Sequence, residues 1–449
     1  MKPIQRIRSG LLMMVLALVA LTASGEETNV SSGSASSSGK QPQDPKQVEP
    51  FWGDHQSGIV TPPQHQTYFA AFDLTTTNRG DVISLLKAWT AAAARLTGGE
   101  SAQPLEGGLQ LAVPPVTNAV SADDAYGALV PGATAADTGE SAGLSPARLT
   151  LTFGFGAGLF VKDGLDRFGL ASKRPAALVD MPKFTGDQLV PARTGGDLSV
   201  QACADDPQVA FHAIRQLARI ADGVAQVRWV QTGFMPGYRP GETPRNLMGF
   251  KDGTDNPSVH DPKTMDEVVW VGDEGPDWMR GGSYLVVRRI RIALEHWDRM
   301  KTAFQEETVG RHKASGSPLG GTNEFDALNL DATNGNGDFV IAENSHVRLA
   351  APAANDGARM LRRPYSYDDG VNFTAERWPP WRQGEEYDAG LFFVAYQRDP
   401  RTGFIKVFEK MAKLDMMNQF VTHVGGGLFA CPPGAKPGEY IGQALFTAP

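Results

Sequence analysis

Leu198-Ser199-Val200-Gln201-Ala202-Cys203-Ala204-Asp205-Asp206-Pro207 and Leu391-Phe392-Phe393-Val394-Ala395-Tyr396-Gln397-Arg398-Asp399-Pro400 read as two copies of one unit. Each is an apolar strand-forming run that meets Asp-Pro, a pair that ends strands and opens helices. An amphipathic stretch follows in both, Val209 to Ile220 in the first copy and Phe404 to Leu414 in the second. Phe211 and Phe404 each fall four residues after the proline, which extends the correspondence. A strand, turn and helix repeated in this way predict a duplicated chain.

The flanking segments agree. Thr67 to Leu74 reads as a strand followed by a helix from about Asp81 to Leu96, and Gly282 to Ile292 reads as a strand followed by a helix from Ala293 to Phe304. Leu149 to Phe155 resumes as a strand after a Gly/Ala/Pro-rich excursion over about 98–146. Elements in this order predict an α+β fold: two sandwiches of antiparallel sheet with helices packed on them, spanning 51–226 and 227–449.

Composition sets outer bounds. With 449 residues, 41% hydrophobic and 20% charged, the chain is globular and long enough for two domains. A formal charge of −8 excludes non-specific nucleic-acid binding, which needs a basic surface. Lys2, Arg6 and Arg8 precede the apolar run Leu11 to Ala23, too short for a stable membrane span and suited to a signal peptide cleaved near Gly25. Loss of residues 1–25, with three bases and no acids, moves the charge from −8 to −11. Residues 26–50 are Ser/Gly-rich and polar, and are expected to form a disordered linker. Cys203 and Cys431 are too few for a disulfide framework or a thiolate metal site and are expected to be buried free thiols, while an oxidising compartment leaves a bridge between them open.

Gly249-Phe250-Lys251-Asp252-Gly253-Thr254-Asp255-Asn256-Pro257 is, alone, only strong turn chemistry. Beside Asn344-Ser345-His346-Val347-Arg348-Leu349-Ala350 and Met360-Leu361-Arg362-Arg363-Pro364-Tyr365-Ser366-Tyr367 it gains a chemical meaning. One carboxylate, one imidazole and one guanidinium are what a haem peroxidase needs. A histidine on the iron leaves one axial position, where hydrogen peroxide must lose a proton from one oxygen and gain it on the other before the O–O bond breaks. Asp252 can carry that proton, and an arginine, which never deprotonates, stabilises the developing negative charge. Composition does not decide between Arg362 and Arg363.

These segments resemble the dye-decolourising peroxidase family, whose Gly-x-x-Asp-Gly signature reads here Gly249-Phe250-Lys251-Asp252-Gly253. The family's proximal histidine falls on His346 and its distal arginine, first of a pair, on Arg362. The resemblance runs from about Phe51 to the C-terminus, includes Gly58 to Pro62 and Phe429 to Gly434, and points to the exported deferrochelatase/peroxidase (EfeB-like) subgroup associated with ferrous-iron uptake. It implies two ferredoxin-like domains with one haem b in the C-terminal one. His346 would hold the iron. Gly249, Phe250, Lys251, Gly253 and Thr254 would line the haem, with Arg363 at a propionate. Hydrogen peroxide and organic electron donors would be the partners, with no nucleic acid involved, and the resemblance allows a homodimer. The alternative it carries is a deferrochelatase that releases iron from haem for an iron-uptake system. The subgroup usually has a twin-arginine leader; here Arg6-Ile7-Arg8 splits the pair, so the Tat and Sec routes to the periplasm both stay open.

Of eight histidines, His423 is the best rival to His346, because Gly425-Gly426-Gly427 would admit a cofactor closely, while His296 is expected to pack on its helix. A ligating imidazole usually donates its other N–H to a carboxylate, and Asp388 is the candidate. The acids and glycines of Asp331 to Asp338 lack calcium-loop spacing and read as a solvated turn. Tyr365, Tyr367, Trp378, Trp381, Tyr387 and Tyr396 suit either an electron relay or an ordinary core.

Overall fold

In the first copy of the repeat the Asp-Pro pair starts the helix directly. Asp206 accepts hydrogen bonds from the backbone N–H groups of Gln208 and Val209, and Pro207, with no N–H to satisfy, fills the first turn. In the second copy the helix starts later, at Phe404, whose N–H is held by the Gln397 side chain. That shift separates the two phenylalanines aligned in the sequence: Phe404 is buried in the core, whereas Phe211, further into its helix, is half-exposed.

The computed structural model describes residues 48–104, 137–237, 241–375 and 383–447. The expected signal peptide (1–25), all but the end of the linker (26–50), and Trp378 and Trp381 lie outside them. Among the described residues eight strands have seven or more residues. In the first half these are β1 (Gln66–Leu74), β2 (Thr150–Gly156), β3 (Leu198–Ala204) and β4 (Ala225–Phe234), with helices α1 (Arg79–Thr97) after β1 and α2 (Pro207–Ile220) after β3. Their antiparallel order is β2-β3-β1-β4. The second half repeats it with β5 (Ser283–Ile292), β6 (Tyr365–Ala375), β7 (Gln383–Gln397) and β8 (Val421–Cys431) in the order β6-β7-β5-β8. Helix α3 (Thr302–Val309) follows β5, and α5 (Phe404–Leu414) follows β7. Each half is therefore a βαββαβ, ferredoxin-like unit.

Two short pairings join the halves edge to edge. β2 meets β8 at Phe155↔Ala430 and Gly156↔Phe429, and β4 meets β6 at Phe234↔Ser366. The second strand of each half thus meets the fourth strand of the other, and the eight strands close into a ring. Inside it Phe69 lies 4.9 Å from Trp229, 5.5 Å from Phe392 and 5.9 Å from Phe429, ring centre to ring centre. Helices cover the outer faces. With both faces covered, β2 and β3 are buried at every position instead of alternating. Cys203 and Cys431 are buried free thiols on β3 and β8.

Two expectations need correction. The boundary at 226/227 cuts β4, which pairs with β1 from Leu74↔Ala225 to Gln66↔Phe234, so the first half extends at least to Phe234. The helix expected over Ala293 to Phe304 breaks into Leu294–Asp298 and α3, and the carbonyl of Trp297 near the break is held by the Gln305 side chain at 2.9 Å. Among the described residues no helix is long and apolar enough to cross a membrane.

The chemistry-bearing segments lie off the ring, in 235–282 between β4 and β5 and in 310–364 between α3 and β6. The second of these contains a short helix, α4 (His346–Ala350).

Phe69 is fully buried at the centre of the ring. Phe69→Ala should lower unfolding stability by about 3–5 kcal/mol, the usual cost of a buried phenylalanine. A urea midpoint equal to that of the parent protein would show that the ring interior is not the shared core of the two halves.

Candidate active site

A cavity lies on the outer face of the second sheet, beneath α5. Alternation along the strands decides its floor: Phe392 and Val394 point into the ring, so Leu391 and Phe393 point outward and line the cavity with Ile290 and Ile292. Val407, Phe408 and Met411 of α5 form the opposite wall. The space open to the centres of water molecules is about 280 Å³. One water needs only about 10–15 Å³ on that measure, so this is no packing defect.

The turn at residues 246–253 supplies one side. Asn246 Oδ1 accepts from the N–H groups of Met248 (3.0 Å) and Phe250 (3.3 Å), and its own N–H bonds the Phe250 carbonyl at 2.9 Å. Gly249 sits at φ +85°, where a Cβ would also lie 2.7 Å from Lys313 Cε, so glycine is required there. Phe250 anchors the turn edge-on against Trp297 at 6.0 Å, and the Trp297 indole N–H bonds the Met248 carbonyl at 3.1 Å. Glu324 then fixes the flank, pairing with Lys251 and accepting from Thr254 Oγ1 at 3.0 Å.

Held this way, Asp252 borders the cavity with Arg362, whose Nη1 is 3.7 Å from Asp252 Oδ1. That is a charge contact rather than a hydrogen bond. Asn256 sets the spacing: its Nδ2 donates to the Arg362 carbonyl and its Oδ1 accepts from the Arg362 N–H, both at 2.9 Å. One amide side chain thus clips the turn onto the two-residue strand Leu361–Arg362, which pairs with β7.

His346, first residue of α4, also borders the cavity. Its Nδ1 lies 2.7 Å from Asp415 Oδ2, and the other Asp415 oxygen accepts from the Met417 N–H at 2.8 Å. Since a carboxylate accepts, Nδ1 carries a proton, and in the neutral ring Nε2 keeps the lone pair. Burial disfavours the charged ring, but Asp415 outweighs it and raises the His346 pKa, with smaller opposing influences from Asp252 and Arg362. Those two groups are therefore within electrostatic reach of the imidazole. His423 borders the same cavity in the opposite state. Arg288 Nε donates to its Nδ1 at 3.0 Å, which puts the proton on Nε2 and removes the lone pair a metal would need there.

Asp252, His346 and Arg362 thus meet at one cavity, with Phe250, Lys251, Gly253 and Thr254 in its lining. Gly249 shapes the turn without lining the cavity. Two expected residues are elsewhere, and strand alternation is the reason for both. Arg363 follows Arg362 in extended chain and points into the ring, where it bonds the Thr61 carbonyl and reaches Gln64 Oε1 at 3.3 Å, so it cannot serve a ligand in the cavity. Asp388 shares the inward parity of Phe392 and pairs with Arg289 at 2.9 Å; the carboxylate on His346 is Asp415. The sequence held a clue to Asp415, a single acid between Leu414 and Met416-Met417 just beyond an amphipathic helix. Tyr365, Tyr367 and Tyr396 are buried, and Tyr387 is half-exposed.

The chain is similar to known proteins over most of its length. The family models described as Dyp-type peroxidase, N-terminal, and Dyp-type peroxidase, C-terminal, match residues 56–235 and 243–436. A dye-decolorizing peroxidase of Thermobifida fusca (strain YX) is 43% identical over 317 residues, covering 69% of this chain and 70% of that protein. A deferrochelatase of Escherichia coli (strain K12) is 34% identical over 444 residues, covering 97% of this chain and 96% of that protein. The crystal structure of a DyP-type peroxidase from Streptomyces coelicolor superimposes with a TM-score of 0.76 at 39% identity, covering 90% of this chain and 98% of that one.

The two imidazoles give a direct test. Nitrogen-15 spectra of the ligand-free protein, taken above the raised His346 pKa, should show His346 protonated on Nδ1 and His423 on Nε2. Burial and the adjacent Arg288 push the His423 pKa well below its ordinary value. Its ring should therefore stay neutral as the pH falls through about 6.5, where an unfolded histidine takes up a proton. His423 then leaves stability intact above about pH 6.5 and lowers it as the pH falls from there toward the folded pKa. A His423 ring that titrates near 6.5 would refute the tautomer assignment.

Proposed function

The chain belongs to the Dyp-type peroxidase family, and we propose that in it His346 holds the haem iron, Asp252 moves the proton of hydrogen peroxide, and Arg362 stabilises the negative charge that develops. The observation that carries this reading is the pairing of a cavity-facing Asp252 and Arg362, 3.7 Å apart, with an imidazole fixed by Asp415 for ligation through Nε2.

The cavity residues fit haem. Aliphatic and aromatic walls suit a flat macrocycle, and His346 has its Nδ1 bonded to a carboxylate, the usual arrangement of a metal-bound histidine. When bound, haem supplies the iron that accepts the two oxidising equivalents of peroxide and passes them to organic donors one electron at a time. The protein's own part is proton and charge management. Asp252 takes the proton from one peroxide oxygen and returns it to the other, which leaves as water. Arg362 offers a permanent positive charge beside Asp252, and that charge would act most strongly once a bound cofactor excludes water from the site. Asp415 strengthens donation from His346 and orients its ring. Asn256 keeps Arg362 at its working distance from Asp252.

A second reading uses the same site. The deferrochelatase similarity spans 97% of the chain, which supports iron release from haem on behalf of an iron-uptake system. The leader-like residues 1–25 support export, with the periplasm as the destination. Incubating the purified protein with haem and measuring iron-free porphyrin, beside dye oxidation with peroxide, separates the two activities.

Asp252→Asn should retain haem yet react with peroxide more slowly by about 10²–10⁴-fold, the usual worth of a positioned acid–base group. A parental rate in stopped flow would remove Asp252 from the mechanism. His346→Ala should emerge from gel filtration without haem. Asn256→Ala should keep haem and slow the peroxide reaction by letting Arg362 drift; an unchanged rate would show that β7 alone holds the arginine.

A further inference from the structure

His423 borders the cavity from β8 and is only 7% exposed. Arg288 occupies its Nδ1, which leaves one N–H, at Nε2. Among the described residues no carbonyl or carboxylate accepts that N–H. Polar hydrogens this deep in a protein are nearly always matched, so the cavity wall offers a donor whose acceptor is not part of the fold.

The ring is held to present that hydrogen. Behind it Arg288 pairs with Asp187, with side chains 1% and 2% exposed. A buried ion pair adds little stability, because desolvation offsets most of its attraction. Here it fixes one tautomer instead. Arg288 stands between Asp187 and the imidazole, so the charge nearer to His423 is positive and strengthens donation from Nε2 to an anion. Phe408 packs against the imidazole at 4.5 Å, ring centre to ring centre, and the His423 carbonyl accepts from the Gln188 N–H at 2.9 Å. Both contacts restrain the ring.

We propose that His423 Nε2–H binds a carboxylate of the macrocycle, one of the propionates of haem b. The inference rests on reading the cavity as a haem site. Arg363, the residue expected at a propionate, points into the ring instead. Other donors on the wall are engaged: Lys251 and Thr254 with Glu324, Arg311 Nη1 with the Gly316 and Glu324 carbonyls at 2.8 and 2.9 Å, and Asn418 Nδ2 with the Met411 carbonyl at 2.8 Å. Arg359 also borders the cavity but is exposed, so water competes with it for an anion. His423 is the buried donor left free.

The test loads the protein with haem or with haem dimethyl ester, whose acids are neutral esters, and follows the loss of each to apomyoglobin by absorption. His423→Phe keeps an aromatic ring beside Phe408 but has no N–H. It should speed haem loss by about 10–100-fold, the usual worth of a hydrogen bond to a charged group, and change loss of the ester little. His423→Gln restores an N–H and should bring haem loss back toward the parent rate. In the parent protein itself, zinc protoporphyrin should move the His423 Nε2–H resonance downfield, and its dimethyl ester should not. Equal acceleration of haem and ester by His423→Phe, or a resonance indifferent to esterification, would overturn the proposal and leave His423 a packed ring with water on its N–H. Haem uptake that still depends on His346 would keep the haem reading intact in that case, whereas a parent protein that takes up no haem would overturn both. A preference for haem over the ester that disappears in Arg359→Gln, and not in His423→Phe, would place the carboxylate at Arg359 and overturn the proposal as well.

Discussion

Closure of the two sheets on each other is the constraint from which the rest follows. A four-stranded sheet with one helical face still has an apolar second face and two unpaired edges. Here each half supplies what the other lacks: the inner faces meet around Phe69, Trp229, Phe392 and Phe429, and the edges meet at β2–β8 and β4–β6. Neither half would be well buried alone. The ring interior is consequently packed, and a ligand site has to be built outside it.

That outside site is assembled mostly from connections, and two histidines show how little separates a lone-pair ligand from an N–H donor. His346 and His423 border the same cavity, and both are bonded through Nδ1. The partner decides the outcome. A carboxylate draws the proton to Nδ1 and frees Nε2, whereas a guanidinium donates to Nδ1 and leaves Nε2 protonated. Asp415 and Arg288 thus assign opposite roles to one side-chain type.

Much of this was legible in the sequence, for identifiable reasons. The strands and helices of the repeat follow from apolar runs and an Asp-Pro boundary, which are local signals. Asp252 and His346 stood out through the resemblance of their segments to a known family, since alone the Asp252 segment reads only as a turn. What failed was facing. Arg362 and Arg363 are neighbours of identical chemistry, and only the pairing of Leu361–Arg362 with β7 sends one to the cavity and the other into the ring. Asp388 has the chemistry to accept from a ligating imidazole, but its parity turns it toward Arg289. Asp415 lies 69 residues from His346, and sequence alone does not encode that distance in space. Asn256 looked like one more turn residue, because its partner is the backbone of a segment 106 residues away.

The duplicated units also explain why only one half holds the cavity. Helix α2 packs directly on β1 and β3, burying Val209, Ala213 and Leu217 against the sheet. Its counterpart α5 has an equivalent apolar face, but its main helical neighbour is α4, the helix that begins with His346. Phe404 holds the start of α5 against Phe393 at 5.6 Å, while Val407 and Met411, further along, face the cavity. The same amphipathic pattern therefore closes a core in one half and roofs a binding site in the other. The insertion before β6 is what differs: by wedging α4 beneath α5 it holds the helix off the sheet, and it carries His346 and Arg362 into the gap it opens.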